Sequence, residues 1–122
     1  MTPPIFPICA ADAGVTALLG TNPTRLFPFG QAPESVALPY AVWRTIPGGG
    51  PENYLADRPD IDSATLQVDV YAATPGDATA VAEALRDAIE LTAHIVRWGG
   101  DDTDPDTGHY HTSFDVDWWV HR

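Results

Sequence analysis

The chain has no lysine and a single cysteine among its 122 residues. Its basic residues are six arginines, Arg25, Arg44, Arg58, Arg86, Arg97 and Arg122, scattered without a local cluster. Seventeen acidic residues outweigh them and leave a net charge of −11. Such a surface repels phosphate backbones and disfavours conventional nucleic-acid binding. The lone Cys9 excludes an internal disulfide and a zinc site built on thiolates alone. It reads as a small buried apolar residue on a helix. No stretch approaches the length of a membrane span, and Met1–Pro7 lacks the positive charge and apolar run of a signal peptide. The expectation is a protein made and kept in a reducing cytoplasm. An all-arginine basic set suits forked contacts with carboxylates at interfaces; GC-rich coding bias would produce it equally well.

What is present fits one domain spanning residues 1–122, with a hydrophobic fraction of 44% that is ordinary for a globular chain. A chain of this length buries roughly two-thirds of its unfolded surface, enough for a core without staples. Ile8, Ala11, Val15, Leu18 and Leu19 recur at helical spacing before Gly20, predicting a helix over 8–19. Thr24–Gly30 reads as a short strand whose Pro28 argues for an edge or a bulge. Pro39–Ile46 is a second strand rich in β-formers. Pro47 to Asp62, with Gly48–Gly50 and three prolines, reads as a long loop of the kind that orders against a neighbour.

Clear alternation marks the strand Ala64–Ala72, with Leu66, Val68 and Val70 on one face and Thr65, Gln67, Asp69 and Tyr71 on the other. Thr74, Pro75 and Asp77 form a helix start. The helix is expected to run to about Leu91 and to bury Ala78, Val81, Ala82, Leu85, Ala88, Ile89 and Thr92. A strand His94–Trp98, an acidic turn Gly99–Gly108 and a strand His109–His121 follow. In the last strand Phe114, Val116, Trp118 and Val120 form the core face. The fold class is therefore α+β, in the order α-β-β-β-α-β-β, with a mostly antiparallel sheet of four to five strands and two helices packed on one face.

Few residues are arranged for chemistry. Asp102, Asp104 and Asp106 match the first ligand positions of a calcium loop. The glycine, however, falls one place late at Gly108, the twelfth position is Ser113, and Pro105 restricts the turn. A solvated hairpin turn is the plainer reading. His109 and His111 share a strand face with Ser113, Asp115 and Asp117, a row that superficially resembles hydrolase chemistry. It lacks a nucleophile elbow and an oxyanion hole, and a metal on the two histidines lacks a third ligand. Gly48–Gly50 has no following Lys-Ser/Thr and is no phosphate loop. No catalytic residue, metal site or cofactor is assigned. Trp119 and Tyr71 sit among carboxylates on the outer strand faces, where large aromatics anchor partner contacts or are covered within the monomer.

In order and spacing, four segments resemble the tail completion family of long-tailed phages and prophages, whose members act as tail terminators. They are Leu19-Gly20 with Arg25-Leu26-Phe27-Pro28, then Pro39-Tyr40-Ala41-Val42, then Leu66-Gln67-Val68-Asp69-Val70-Tyr71-Ala72, and finally Phe114–Trp119. The resemblance spans nearly the whole chain and implies a structural virion protein without catalytic residues, located at the head-proximal end of the tail and assembled in the host cytoplasm. It implies a homo-oligomeric ring, commonly six copies, that caps the tail tube, stops its polymerisation and docks the head connector. The implied partners are therefore other copies of itself, the tail tube protein and a connector or stopper protein, with the genome passing through the lumen and no membrane involved. A ring needs two different surfaces meeting head to tail. Tyr54, Leu55 and Arg58 on the long loop, with Asp69, Tyr71 and Trp119 on the strands, are the expected interface. The glycine-rich loop and the acidic turn match nothing in the family. A head-closure or neck protein is the nearest alternative. From other classes, a small hydrolase or metal-dependent enzyme would use His109, His111 and Asp115, and a ligand-binding domain would be monomeric with an apolar pocket.

Overall fold

A computed structural model describes residues 2–53, 55 and 57–122. Three helices, α1 (Ile5–Ala10), α2 (Ala13–Leu19) and α3 (Pro75–Ile89), accompany six strands. The strands are β1 (Leu26–Pro28), β2 (Tyr40–Pro51), β3 (Ile61–Ala72), β4 (His94–Trp98), β5 (Asp102–Thr103) and β6 (Tyr110–His121). They form one sheet in the order β1-β2-β3-β6-β4, with β5 paired to β6.

The sheet is mixed and six-stranded, which corrects the expected mostly antiparallel sheet of four to five strands. β1 joins parallel to β2, with Leu26 beside Ala41 and Pro28 beside Trp43. A three-residue strand whose last member is proline belongs at an edge. The acidic turn contributes a strand of its own, because Asp102 and Thr103 pair with His111 and Tyr110.

The single helix expected over 8–19 is two helices. Asp12 accepts from the Val15 N–H at 3.0 Å and caps α2, so the chain restarts its helix there. Ala11 is consequently exposed, and Ile5 and Cys9 take the buried positions of α1. α3 starts as its sequence dictates: Thr74 Oγ1 accepts from the Asp77 N–H at 3.1 Å, with Pro75 in the first turn. It ends at Ile89, which leaves Thr92 exposed and brings Ala93 into the core instead.

A further correction concerns Gly48–Gly50. The expected loop from Pro47 to Asp62 begins only after Pro51, because β2 continues through the glycines and pairs Gly50 with Ser63. The ladder carries an irregularity between Ile46 and Gly50. A Cβ on Gly49 would collide with the Ser63 carbonyl oxygen, so a residue without a side chain lets the two backbones approach.

The core lies between the helices and one face of the sheet. Leu66, Val68 and Val70 of β3, Phe114, Val116 and Trp118 of β6, and Val81, Leu85 and Ile89 of α3 belong to one buried cluster with Ile5, Cys9, Val15 and Leu19. Burying each large member stabilises the fold by about 1.5–3 kcal/mol relative to exposure. Burial alternates strictly along β3, so its second face, carrying Thr65, Gln67, Asp69 and Tyr71, looks away from the core.

Candidate assembly surface

The helix-free face of the sheet is ordered by a network of polar and aromatic side chains. Register places Tyr40, Val42 and Arg44 of β2 beside Tyr71, Asp69 and Gln67 of β3. The same three β3 residues lie beside His111, Ser113 and Asp115 of β6.

Tyr71 is stacked between Tyr40 (centroids 5.1 Å apart) and His111 (4.9 Å). His111 in turn reaches two carboxylates: Nε2 lies 2.8 Å from Asp69 Oδ1 and Nδ1 lies 2.8 Å from Asp102 Oδ1. Burial alone pulls this imidazole down, but hydrogen bonds to Asp69 and Asp102 and their charges outweigh it and hold it above the ordinary histidine value. An imidazolium donates from both nitrogens at once, which suits two carboxylate acceptors. The Tyr71 hydroxyl is pushed up by burial and then by Asp69, and Tyr40 by burial and then by Asp104. Asp69 further accepts from Gln67 Nε2 at 3.1 Å, and Gln67 Oε1 accepts from Arg44 at 3.1 Å.

A second cluster sits next along the face. Arg97 binds Asp115 through both ends of its fork, Nε to Oδ2 at 2.8 Å and Nη2 to Oδ1 at 3.0 Å, and Nη2 also donates to Ser113 Oγ at 2.9 Å. Thr65 Oγ1 donates to Asp117 at 2.7 Å. The Phe29–Ala32 turn and Asp104 rise beside this face and shape a shallow open concavity of about 470 Å³ over Tyr40, Tyr71 and His111.

In the row His109, His111, Asp115, the last two side chains are therefore held by separate partners. Both nitrogens of His111 are occupied, Asp115 is bound to Arg97, and the Ser113 hydroxyl faces a guanidinium. None of these geometries joins a nucleophile to a base. In the acidic turn Asp102 serves His111, while Asp104 Oδ1 accepts from the Asp106 N–H at 2.9 Å. Among the described residues no three His, Cys, Asp or Glu side chains converge as a metal site. No helix among them is long and apolar enough to cross a membrane.

The structure separates the expected interface residues into three groups. Asp69 and Tyr71 are half-buried members of the stacked network. Trp119 lies on the same helix-free face, 42% exposed, with its ring edge-on to His94 at 5.5 Å. Leu55 and Arg58 are exposed in the segment joining β2 and β3; Tyr54 lies outside the described residues. Tyr40, Arg44, Gln67 and His111, which hold Asp69 and Tyr71 in place, were not among the expected residues. Period-two alternation places Gln67 and His111 on the outer faces, but the partnership across strands is set by register.

The segments bearing the family motifs fall at the ends and centre of this arrangement. Gly20 closes α2 at φ +78°, and Arg25 ties the Leu18 carbonyl to that of Pro39 at 3.1 and 2.9 Å. Tyr40, Gln67, Asp69 and Tyr71 follow on the helix-free face. Residues 3–121 match the family model described as tail completion protein gp17. The chain belongs to that family. This tail completion protein is thus a structural component of a phage-like virion. Among solved structures, it is similar in fold to a chain of the "virion of native gene transfer agent (GTA) particle". The TM-score is 0.67 at 17% identity, with 97% of this chain and 92% of that chain covered. No curated protein matches the sequence.

Proposed function

We propose that this protein is a tail terminator, a single-domain subunit of a ring that caps the head-proximal end of the tail tube, stops its polymerisation and presents the surface to which the head connector docks. The observation that carries this reading is the family match over residues 3–121. Ordered side chains on the helix-free face support an assembly role, since rigid aromatics and satisfied charges lose little entropy on burial. Leu55, Arg58, Tyr71 and Trp119 are the proposed contact residues, with Asp69 holding His111 and Tyr71 in position. The chain acts without a cofactor and without catalysis. A ring of six would multiply the −11 charge of each chain, and an acidic lumen would let duplex DNA pass without adhering.

Deletion of the gene from a particle-producing strain tests this reading by electron microscopy. A terminator's loss should yield tails of irregular, excessive length that are not joined to heads. Tails of normal length that fail to join heads would overturn the terminator reading in favour of a head-closure protein.

A further inference from the structure

The sheet ends on two edges. Among the described residues β4 has a neighbour on one side only, β6. β1 covers β2 only at Ala41, Val42 and Trp43, which leaves the outer edge of β2 from Arg44 onward without a strand beside it among the described residues. Exposed strand edges are ordinarily blunted by lysine, proline or unpaired charge. β4 carries no lysine or proline, its one charged residue, Arg97, is tied to Asp115 of its own chain at 2.8 Å, and the irregularity between Ile95 and Arg97 is the one blunting feature on it.

Part of the β4 edge is apolar, while His94 and the ion-paired Arg97 lie toward the helix-free face. Val96 and Trp98 are 54% and 46% exposed. Trp98 stacks on the core residue Phe114 at 5.2 Å and lies under the Arg86 guanidinium, also at 5.2 Å. At the opposite end of the strand and on the other face, Trp119 meets His94. The open part of β2 carries no carboxylate, and Pro47 and Pro51 blunt it beyond Ile46, so the stretch free to pair is Arg44–Ile46. For a chain of net charge −11, two copies repel wherever acidic surfaces meet, and these edges avoid that repulsion.

Strand direction makes the two edges compatible. β2 is antiparallel to β3, β3 to β6 and β6 to β4, so β4 runs opposite to β2. A copy related by rotation about an axis roughly along the strands keeps their direction and offers its β2 antiparallel to β4, the more stable pairing. The contact is head to tail and leaves one free edge at each end for the next copy. The Ala41 N–H points to the β1 side, donating to the Arg25 carbonyl at 2.9 Å. By alternation Thr45 is the first residue of that parity beyond β1, and so the first to offer both backbone groups outward.

We propose that the β4 edge, His94–Trp98, pairs antiparallel with the open edge of β2, beginning at Arg44–Thr45, of a second copy of this chain. This adds a pair of strand edges to the contact residues proposed above and rests on the ring reading for closure. Val96 falls in the irregularity between Ile95 and Arg97 and has no register partner on β6, so changes there address the outer edge.

The test joins Val96→Cys and Thr45→Cys in one chain, with oxidation or a short bismaleimide as the cross-link, in free protein and in protein bound to tail tubes lacking their end ring. The native Cys9 is buried. A ladder of linked multimers is expected from the double variant, with Val96→Cys alone staying monomeric. A linked dimer from Val96→Cys alone would show β4 meeting β4 across a two-fold axis and overturn the proposal. Failure of the double variant to link in either state would overturn it too. Binding to tubes without cross-links defeats the edge pairing and spares the terminator reading. Cross-linked ladders without tube binding do the reverse. As a check on folding, Val96→Pro should lower the solution mass while keeping the thermal midpoint within a few degrees.

Discussion

Arg25 lies directly over Gly20: a Cβ added to the glycine would sit 2.9 Å from the arginine's Nη1. The glycine adopts φ +78° with an extended ψ of −176°, a region essentially reserved for glycine. From that position the guanidinium binds the carbonyls of Leu18 and Pro39 and so fixes the end of α2 against the start of β2. Gly20→Ala should therefore cost about 1–3 kcal/mol from backbone strain alone, read as a lower urea midpoint. Arg25→Ala should cost a similar amount, about 1.5–3 kcal/mol, through lost charge-assisted hydrogen bonds. Because both changes disturb one contact, the double variant should lose clearly less than the sum. Full additivity would show that the two residues act separately.

The glycines of β2 differ sharply in what they tolerate. Gly49→Ala would drive a methyl group into the Ser63 carbonyl and to 2.9 Å from Ala64 Cα. Backbone cannot step aside as a flexible side chain can, so a loss of about 1–3 kcal/mol is expected. At Gly50 a Cβ meets nothing within 4 Å and φ is not positive, so Gly50→Ala should lie within about 0.5 kcal/mol of the parent. Chemical denaturation of the two variants side by side checks the contrast, and equal losses would contradict the close approach at Gly49.

His111 makes stability depend on pH. Its folded value is raised above the ordinary one by Asp69 and Asp102, which together outweigh its burial. The folded state therefore binds the proton more tightly than the unfolded chain does. The stabilisation is complete below the unfolded histidine value of about 6.5 and is lost as pH rises through the higher folded value. The urea midpoint should fall on going from pH 6 upward past neutrality. In His111→Asn that part of the slope should vanish. An unchanged slope in the variant would assign the effect to another group.

Cys9 should be silent to thiol reagents in the folded protein. It is fully buried, and burial, followed by the charge of Asp12, pushes its thiol up to about 12. The thiolate is the reactive form, so both access and ionisation are lacking. Labelling should proceed at the rate of global unfolding and accelerate with urea in step with the loss of structure. Rapid labelling in native buffer would show that α1 opens by itself.

Local patterning determined a good part of this protein. The alternation of β3 and β6, the capped start of α3, the strand His94–Trp98 and the acidic surface are each legible within a few residues, because helix and strand periods are properties of neighbouring positions. The break at Asp12 was legible only in part: apolar spacing favours one continuous helix, and the aspartate's cap competes with it. Tertiary structure decided the rest. β1 lies parallel to β2, the triglycine becomes strand, and His111 finds Asp69, 42 residues away, and Asp102. These relationships depend on which distant segments meet and in what register, and no local period encodes that choice. The same reason separates the expected outer aromatics, Tyr71 and Trp119, from the residues that hold them. Their faces follow from alternation, while the stack with Tyr40 and the free edge of β4 exist only once the strands have been ordered across the sheet.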